Sequence, residues 1–131
     1  MSITALNALP VTPAPADYFT GDVSLRRMFA AEGESRLSGL QVTFAPGART
    51  AWHTHPAGQV LIVTEGAGRI QIEDGPIQPV VAGDIVRFPA GVRHWHGAAP
   101  DVAMTHLALQ EDIDGSAVTW LDHVTDAEYG G

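Results

Sequence analysis

The chain has 131 residues, 45% of them hydrophobic, and its seven basic and fifteen acidic residues give a formal net charge of −8. This length suits one hydrophobic core and is too short for two ordinary domains, so we expect a single domain over residues 1–131. The acidic balance argues against a nucleic-acid partner, and the absence of cysteine excludes disulfides and thiolate metal sites.

The N-terminal residues 1–15 contain three prolines and predict an extended arm. They include no basic leader followed by a long apolar run, and no stretch of the chain approaches the ~20 apolar residues that span a bilayer. We therefore expect a protein with no membrane association and a cytoplasmic location.

The rest of the chain alternates short runs rich in Val, Ile, Thr and Phe with turns built from 14 glycines and nine prolines. No run keeps a long helical period, and this pattern is typical of an all-β sandwich or barrel. The alternation is clearest in LSGLQVTFA, where Leu40, Val42 and Phe44 share one face and are predicted to point inward.

The run QVLIVT is apolar on both faces. If Gln59 points inward, Leu61 and Val63 do so too, which leaves Val60 and Ile62 on the outside. A second subunit could cover that outer face, so we expect a homodimer or a higher homo-oligomer.

The sequence WHTHPAGQ places two imidazoles on one face of a strand, because strand residues two apart point the same way. Imidazole is the commonest protein ligand for transition metals, and Gln59 can add an amide oxygen just after the turn at residues 56–58. With His94 arriving from a distant strand, we predict a metal site formed by His53, His55, Gln59 and His94. These ligands suit Mn(II), Fe(II), Ni(II) and Zn(II) alike.

Two further histidines, His96 and His106, are expected inside the fold beside this metal site. His96 shares the strand face of His94, while Trp52 and Trp95 alternate with the ligands and are expected to point away.

In HLALQ, His106 and Gln110 share a face, and buried polar side chains are costly unless they find partners. His106 and Gln110 therefore either meet substrate or bond to each other or to buried water. Near the end of the chain, Thr125 and Glu128 form a capping-box pattern that predicts a short helix.

The two histidine-containing segments resemble the paired motifs of the cupin superfamily. The first motif matches Gly47, His53, His55, Gln59 and Gly66, and the second matches Gly83, Pro89, Gly91 and His94. Together they cover residues 47–98, and the resemblance implies a single-domain jelly-roll β-barrel. Gln59 stands where the general motif has an acid, and Ala98 where it often has asparagine. An uncharged ligand leaves the metal charge uncompensated and favours Lewis-acid chemistry.

The chain is most similar in pattern to the small bacterial manganese-dependent cupin hydroxynitrile lyases. The similarity extends to PADYFTG, PGARTAWHTHP, HWHGAAP, MTHLALQE and HVTDAEY. It implies reversible, metal-dependent cleavage of a mandelonitrile-like cyanohydrin into an aldehyde or ketone plus HCN, with Mn(II) as the expected ion.

In that reaction His96, His106 and Gln110 would be the catalytic residues, with the two histidines dividing proton transfer and cyanide binding and Gln110 orienting one of them. The small-molecule substrate would lie in a pocket formed by Leu40, Val42, Phe44, Leu61 and Val63. Leu40 is larger than the residue expected there from the resemblance, which bears on pocket size.

Two other functions fit the same residues. An Fe(II)-dependent cupin dioxygenase would use a nitrogen-rich site to activate oxygen, and oxygen uptake would separate it from a lyase. A cupin that only binds or senses a small molecule is the non-enzymatic alternative, because a fold does not determine a function.

Overall fold

The structure is a computed structural model, and it describes residues 1–130. This part of the chain forms a 3-10 helix at Leu6–Ala8, twelve β-strands and a C-terminal helix, α1, at Asp126–Tyr129. The strands are β1 (Thr12–Pro13), β2 (Phe19–Thr20), β3 (Val23–Phe29), β4 (Leu37–Phe44), β5 (Arg49–Thr50), β6 (His53–Thr54), β7 (Gln59–Ile72), β8 (Gln78–Val81), β9 (Ile85–Phe88), β10 (His94–Ala98), β11 (Met104–Glu111) and β12 (Thr119–Trp120).

The strands form one curled antiparallel sheet in the order β1-β3-β4-β11-β7-β10-β5-β2. Strand β7 is the longest and joins the two halves of the sheet, because its first part pairs with β11 and its second part with β10. The predicted all-β, single-domain jelly-roll fold is confirmed. No helix in residues 1–130 is long and apolar enough to cross a membrane.

The inner face of the sheet consists of rows of side chains that run across neighbouring strands. One row joins Leu25, Val42, His106 and Val63, which face one another on β3, β4, β11 and β7. Val42 and Val63 belong to a buried apolar cluster with Phe44, so the alternation in this part of the sequence does give a core face.

The two ends of the chain pack against this sheet. Within the segment predicted as an extended arm, the structure forms the 3-10 helix and then β1, which pairs with β3. The predicted C-terminal helix is confirmed, with both hydrogen bonds of the capping box between Thr125 and Glu128. Buried Arg49 fixes this tail by donating to the Val124 carbonyl and pairing with Asp126.

Candidate functional site

A cavity of about 640 Å³ lies inside the curled sheet and reaches the surface at one end of it. Polar side chains form one wall of the cavity, and apolar and aromatic side chains form the rest. The polar wall contains four histidines and two glutamines, namely His53, His55, His96, His106, Gln59 and Gln110.

Strand pairing brings two of the predicted metal ligands together. His53 on β6 lies directly opposite His94 on β10, and both side chains are buried. Gly58 has a φ of +79°, and an added Cβ there would lie 2.5 Å from the Phe88 carbonyl oxygen. Glycine is therefore needed at the turn that carries the chain from β6 to buried Gln59.

Three of these histidines are oriented by backbone carbonyls. His53 Nδ1 donates to the Ala51 oxygen at 2.8 Å, and His94 Nδ1 donates to the Val92 oxygen at 2.8 Å. His55 Nδ1 donates to Ala117, a residue in the segment between β11 and β12, at 2.6 Å. A neutral imidazole that donates from Nδ1 has a lone pair at Nε2, which is the form that binds a metal.

The Nε2 atoms of His55 and His94 present lone pairs that fit a cation. His55 Nε2 is buried and has no hydrogen-bond partner within residues 1–130. His94 Nε2 lies 3.3 Å from Gln59 Oε1, and the Gln59 amide is held in this orientation because its Nε2 donates to Gln110 Oε1 at 3.1 Å. His94 Nε2 and Gln59 Oε1 are thus two acceptors facing each other, an arrangement that a bound cation would satisfy.

A fourth imidazole approaches the same point. The nitrogen donors of His53, His94 and His96 lie within 4.8 Å of one another, so these histidines could bind a metal. The prediction has His55 in place of His96 in this group. The two histidines differ at Nδ1. His55 Nδ1 donates to a backbone carbonyl, whereas His96 Nδ1 contacts another imidazole.

The imidazole in contact with His96 is that of His106, whose Nε2 lies 2.9 Å from His96 Nδ1. Both rings are buried, and within residues 1–130 the outer nitrogens, His96 Nε2 and His106 Nδ1, have no partner. One proton lies between the two rings, and either ring can carry it. The structure thus joins His106 to His96.

The sequence predicted that Gln110 orients His96 or His106, and its contacts in the structure correct this. Its side chain donates to Ser38 and accepts from Gln59, so it orients the predicted metal ligand instead. Residues four apart on one strand are separated by roughly 13 Å, which is too far for a glutamine to contact His106 on the same strand.

Burial keeps these histidines uncharged at neutral pH. It lowers the pKa of His94 and of His106 to about 4 and lowers the pKa of His55. Burial also holds the pKa values of His53 and His96 well below the usual 6.5, and neighbouring imidazoles add to the shift. A cavity full of neutral imidazoles provides lone pairs for a cation and carriers for a proton.

The apolar wall differs in part from the predicted pocket. Leu40 and Val42 line the cavity, whereas Phe44, Leu61 and Val63 lie in the packed core behind it. Those three side chains are almost completely buried, because neighbouring strands cover them. Phe44 still supports the site, since its ring centroid lies 5.3 Å from that of His106.

Sequence reasoning missed three residues of the site. Trp120 pairs with His53 across β12 and β6, its ring centroid 4.8 Å from the imidazole, and Tyr18 stacks on Trp120. Thr50 Oγ1 accepts the backbone N–H of His96 at 3.3 Å. No local motif marks these positions, because strand pairing alone brings them to the cavity. Trp95 points away from the cavity as predicted and packs with Tyr129.

Comparison with known proteins gives the family. A cupin domain model matches residues 40–109. An (R)-mandelonitrile lyase from Granulicella tundricola is 52% identical over 98% of both chains. A crystal structure of a cupin-like protein from Thermotoga maritima is 40% identical, with a TM-score of 0.86 over 90% of both chains.

A cupin 2 conserved barrel domain protein from Rhodopseudomonas palustris shares the fold at 18% identity, with a TM-score of 0.72 over 97% of this chain and 87% of its own. The sheet topology, the converging histidines and these matches agree with one another. The chain therefore belongs to the cupin superfamily, and within it the chain is close to a bacterial hydroxynitrile lyase.

Proposed function

We propose that this protein is a metal-dependent hydroxynitrile lyase that reversibly cleaves mandelonitrile-like cyanohydrins to an aldehyde or ketone and HCN. The observation that carries the proposal is the neutral His96–His106 pair beside two groups of acceptors, namely the unpaired His55 Nε2 and the facing atoms His94 Nε2 and Gln59 Oε1. Cyanohydrin cleavage needs this combination, since a hydroxyl must lose a proton and the departing cyanide must gain one. The 52% identical mandelonitrile lyase supports the choice of substrate class.

The residues that would hold the metal are His53, His55, Gln59 and His94. We favour Mn(II) from the family resemblance, and Fe(II), Ni(II) and Zn(II) suit the same donors. When bound, the metal would supply Lewis acidity that lowers the pKa of the substrate hydroxyl. None of the four ligands carries a negative charge, so the protein does not diminish that effect.

The histidine pair would move the proton. When His96 donates from Nδ1 to His106 Nε2, His96 has a lone pair at Nε2 and His106 carries its proton on Nδ1. His96 Nε2 can then accept the hydroxyl proton, the shared proton passes to His106 Nε2, and His106 Nδ1 releases its proton to cyanide. The cyanohydrin becomes a carbonyl compound and HCN, and each ring ends in its other neutral tautomer.

The remaining lining residues would bind and enclose the substrate. Leu40, Val42 and Ala108 offer an apolar surface for the substituent of the carbonyl carbon, and Trp120 adds an aromatic face next to His53. An apolar, largely enclosed cavity also keeps water from competing with the proton transfers.

We also propose a cytoplasmic homo-oligomer. Val60 and Ile62 are half-buried on the outer face of β7, and Ile62 pairs with Ile85, which is 71% exposed. Sedimentation velocity should give a species larger than 13.8 kDa, and Ile85→Glu should shift it toward the monomer. A wild-type monomer at all concentrations would contradict this part of the proposal.

The function is tested by the release of benzaldehyde and cyanide from racemic mandelonitrile. Protein stripped of metal is reloaded separately with Mn(II), Fe(II) or Zn(II), and the spontaneous decomposition is subtracted. We expect release that depends on metal and is abolished in His53→Ala. Release equal to background in every sample would contradict the proposal, and oxygen uptake by the Fe(II) form would then favour a dioxygenase.

A further inference from the structure

An arginine occupies an inward-facing position at the mouth of the cavity. Val23 and Leu25 on β3 are buried in the core, and Arg27 follows them on the same strand face, because alternate residues of a strand point the same way. Arg27 is exposed and lines the cavity together with His53, His55 and other residues of the polar wall. The core side of the strand thus ends in a guanidinium group at the opening.

The Arg27 side chain forms no hydrogen bond or ion pair with any residue in the described part of the chain. Other arginines of the same protein are held in place, since Arg49 pairs with Asp126 and Arg93 pairs with Glu73. A guanidinium offers a rigid fork of donors that matches a carboxylate in two parallel hydrogen bonds. Arg27 therefore has all of these donors available to a ligand in the cavity.

Arg27 differs in charge from the other residues that line the cavity. Among the cavity-lining residues of positions 1–130, Arg27 is the one arginine or lysine. The one carboxylate among the lining residues of positions 1–130 is Asp112, which accepts a hydrogen bond from Ser38 at 3.4 Å and forms no ion pair with Arg27. The rest of the protein is strongly acidic, with a net charge of −8.

Strand register gives the distance between Arg27 and the reacting groups. Arg27 faces Leu40 on β4, which faces Ala108 on β11. Strands are spaced by about 4.8 Å, so the Arg27 backbone lies roughly 10 Å from Ala108 across the inner face of the sheet. His106 and Gln110 flank Ala108 on β11, and all three line the same cavity as Arg27. An aromatic ring with a para substituent has a length suited to this span.

We propose that Arg27 is a specificity-determining residue that binds an anionic substituent, of the carboxylate class, at the end of the substrate remote from the reacting carbon. The inference rests on the proposed lyase function and adds a substrate class to it. The carbonyl or cyanohydrin group would lie at the histidines, the ring over Leu40 and Ala108, and the carboxylate at the guanidinium of Arg27.

The test compares kcat/KM for two cyanohydrins, those of 4-formylbenzoate and of its uncharged methyl ester. The wild type should favour the carboxylate, and Arg27→Gln should lower the carboxylate-to-ester ratio about tenfold, the effect of one charge-assisted hydrogen-bonded pair. Arg87→Gln is the matched control. It removes the same charge from an exposed residue of β9 that does not line the cavity. Asp112→Asn should raise the ratio by removing the opposing charge.

An equal ratio in Arg27→Gln and the wild type, or an equal fall in Arg87→Gln, would overturn the inference. Calorimetric binding of 4-formylbenzoate without cyanide keeps the inference separate from the lyase proposal. If no cyanohydrin is cleaved, the lyase proposal fails, while about tenfold weaker binding of this aldehyde to Arg27→Gln than to Arg87→Gln would still support the anion site. Equal binding to the two variants would refute the site directly.

Discussion

The buried histidines in and beside the cavity form two regions that differ in one contact. In the first region, His53, His55 and His94 each donate from Nδ1 to a backbone carbonyl. In the second region, His96 and His106 bond to each other. All five rings are buried and have lowered pKa values, so burial alone does not separate them.

In each ring, the partner of one nitrogen decides what the other nitrogen can do. A carbonyl only accepts, so it fixes the proton on Nδ1 and leaves a permanent lone pair at Nε2. An imidazole can donate or accept, so the proton between His96 and His106 can move. The first region is suited to holding a cation and the second to transferring a proton.

The largest effect is expected from breaking the first region. His53→Ala removes one fixed lone pair, so bound metal should fall below about a tenth of the wild-type content, and cleavage of mandelonitrile should fall to background. Metal content is measured by plasma emission after desalting. His123→Ala is the control because His123 is exposed. Full metal content in His53→Ala would remove this residue from the proposed ligands.

Breaking the second region should give a smaller loss and leave the metal in place. His106→Leu fills a similar volume, removes the partner of His96 Nδ1, and should lower kcat by about 10²- to 10⁴-fold, the range for losing a general acid or base. The measurement combines steady-state kinetics with metal content. A variant that loses metal as readily as His53→Ala would show that the two regions are not separate.

Low pH should destabilise the metal-free protein. The unfolded histidine pKa is about 6.5 and that of folded His106 is about 4, so below pH 6.5 the unfolded chain binds protons that the folded protein does not. Stability should be full above pH 6.5 and fall as the pH drops toward 4, by roughly 3 kcal/mol for His106 alone.

Urea unfolding across this pH range measures the effect, and His106→Leu should show a shallower decline. A stability that is constant from pH 7 to 4 would contradict the buried neutral rings. Because burial lowers the pKa values of the metal ligands, proton competition with a bound metal should begin well below the ordinary histidine pKa of ~6.5.

The smallest effect concerns His55, whose carbonyl partner is remote in sequence. Ala117 follows a turn in which Gly115 has a φ of +82°, so Gly115→Val should strain the turn and weaken metal binding by up to about tenfold. Gly33→Val is a matched control, because Gly33 has a φ of +60° and lies in open space elsewhere. Equal metal dissociation constants for the two variants would refute the coupling.

The sequence predicted the parts of the site that local periodicity determines. Alternation along β10 was enough to place His96 beside His94 and Trp95 on the outer face. The same reasoning failed for Gln110, because sharing a face does not imply contact over four residues of extended chain.

Other parts depend on strand pairing between distant segments. Trp120 reaches His53 only through the pairing of β12 with β6, and Ala117 reaches His55 across 62 positions of sequence. Arg27 lies in a strand whose core-facing alternation ends in a charge, so its role depends on where the cavity opens. No single-segment pattern contains that information.

Contacts with backbone carbonyls fix the tautomers of three histidines, namely His53, His55 and His94. Nitrogen-15 NMR of the imidazole rings in metal-free protein at pH 7, with signals assigned by single substitutions, measures these tautomers. We expect a protonated Nδ1 and an unprotonated Nε2 in each of the three rings. A protonated Nε2 in any of them would contradict the assignment.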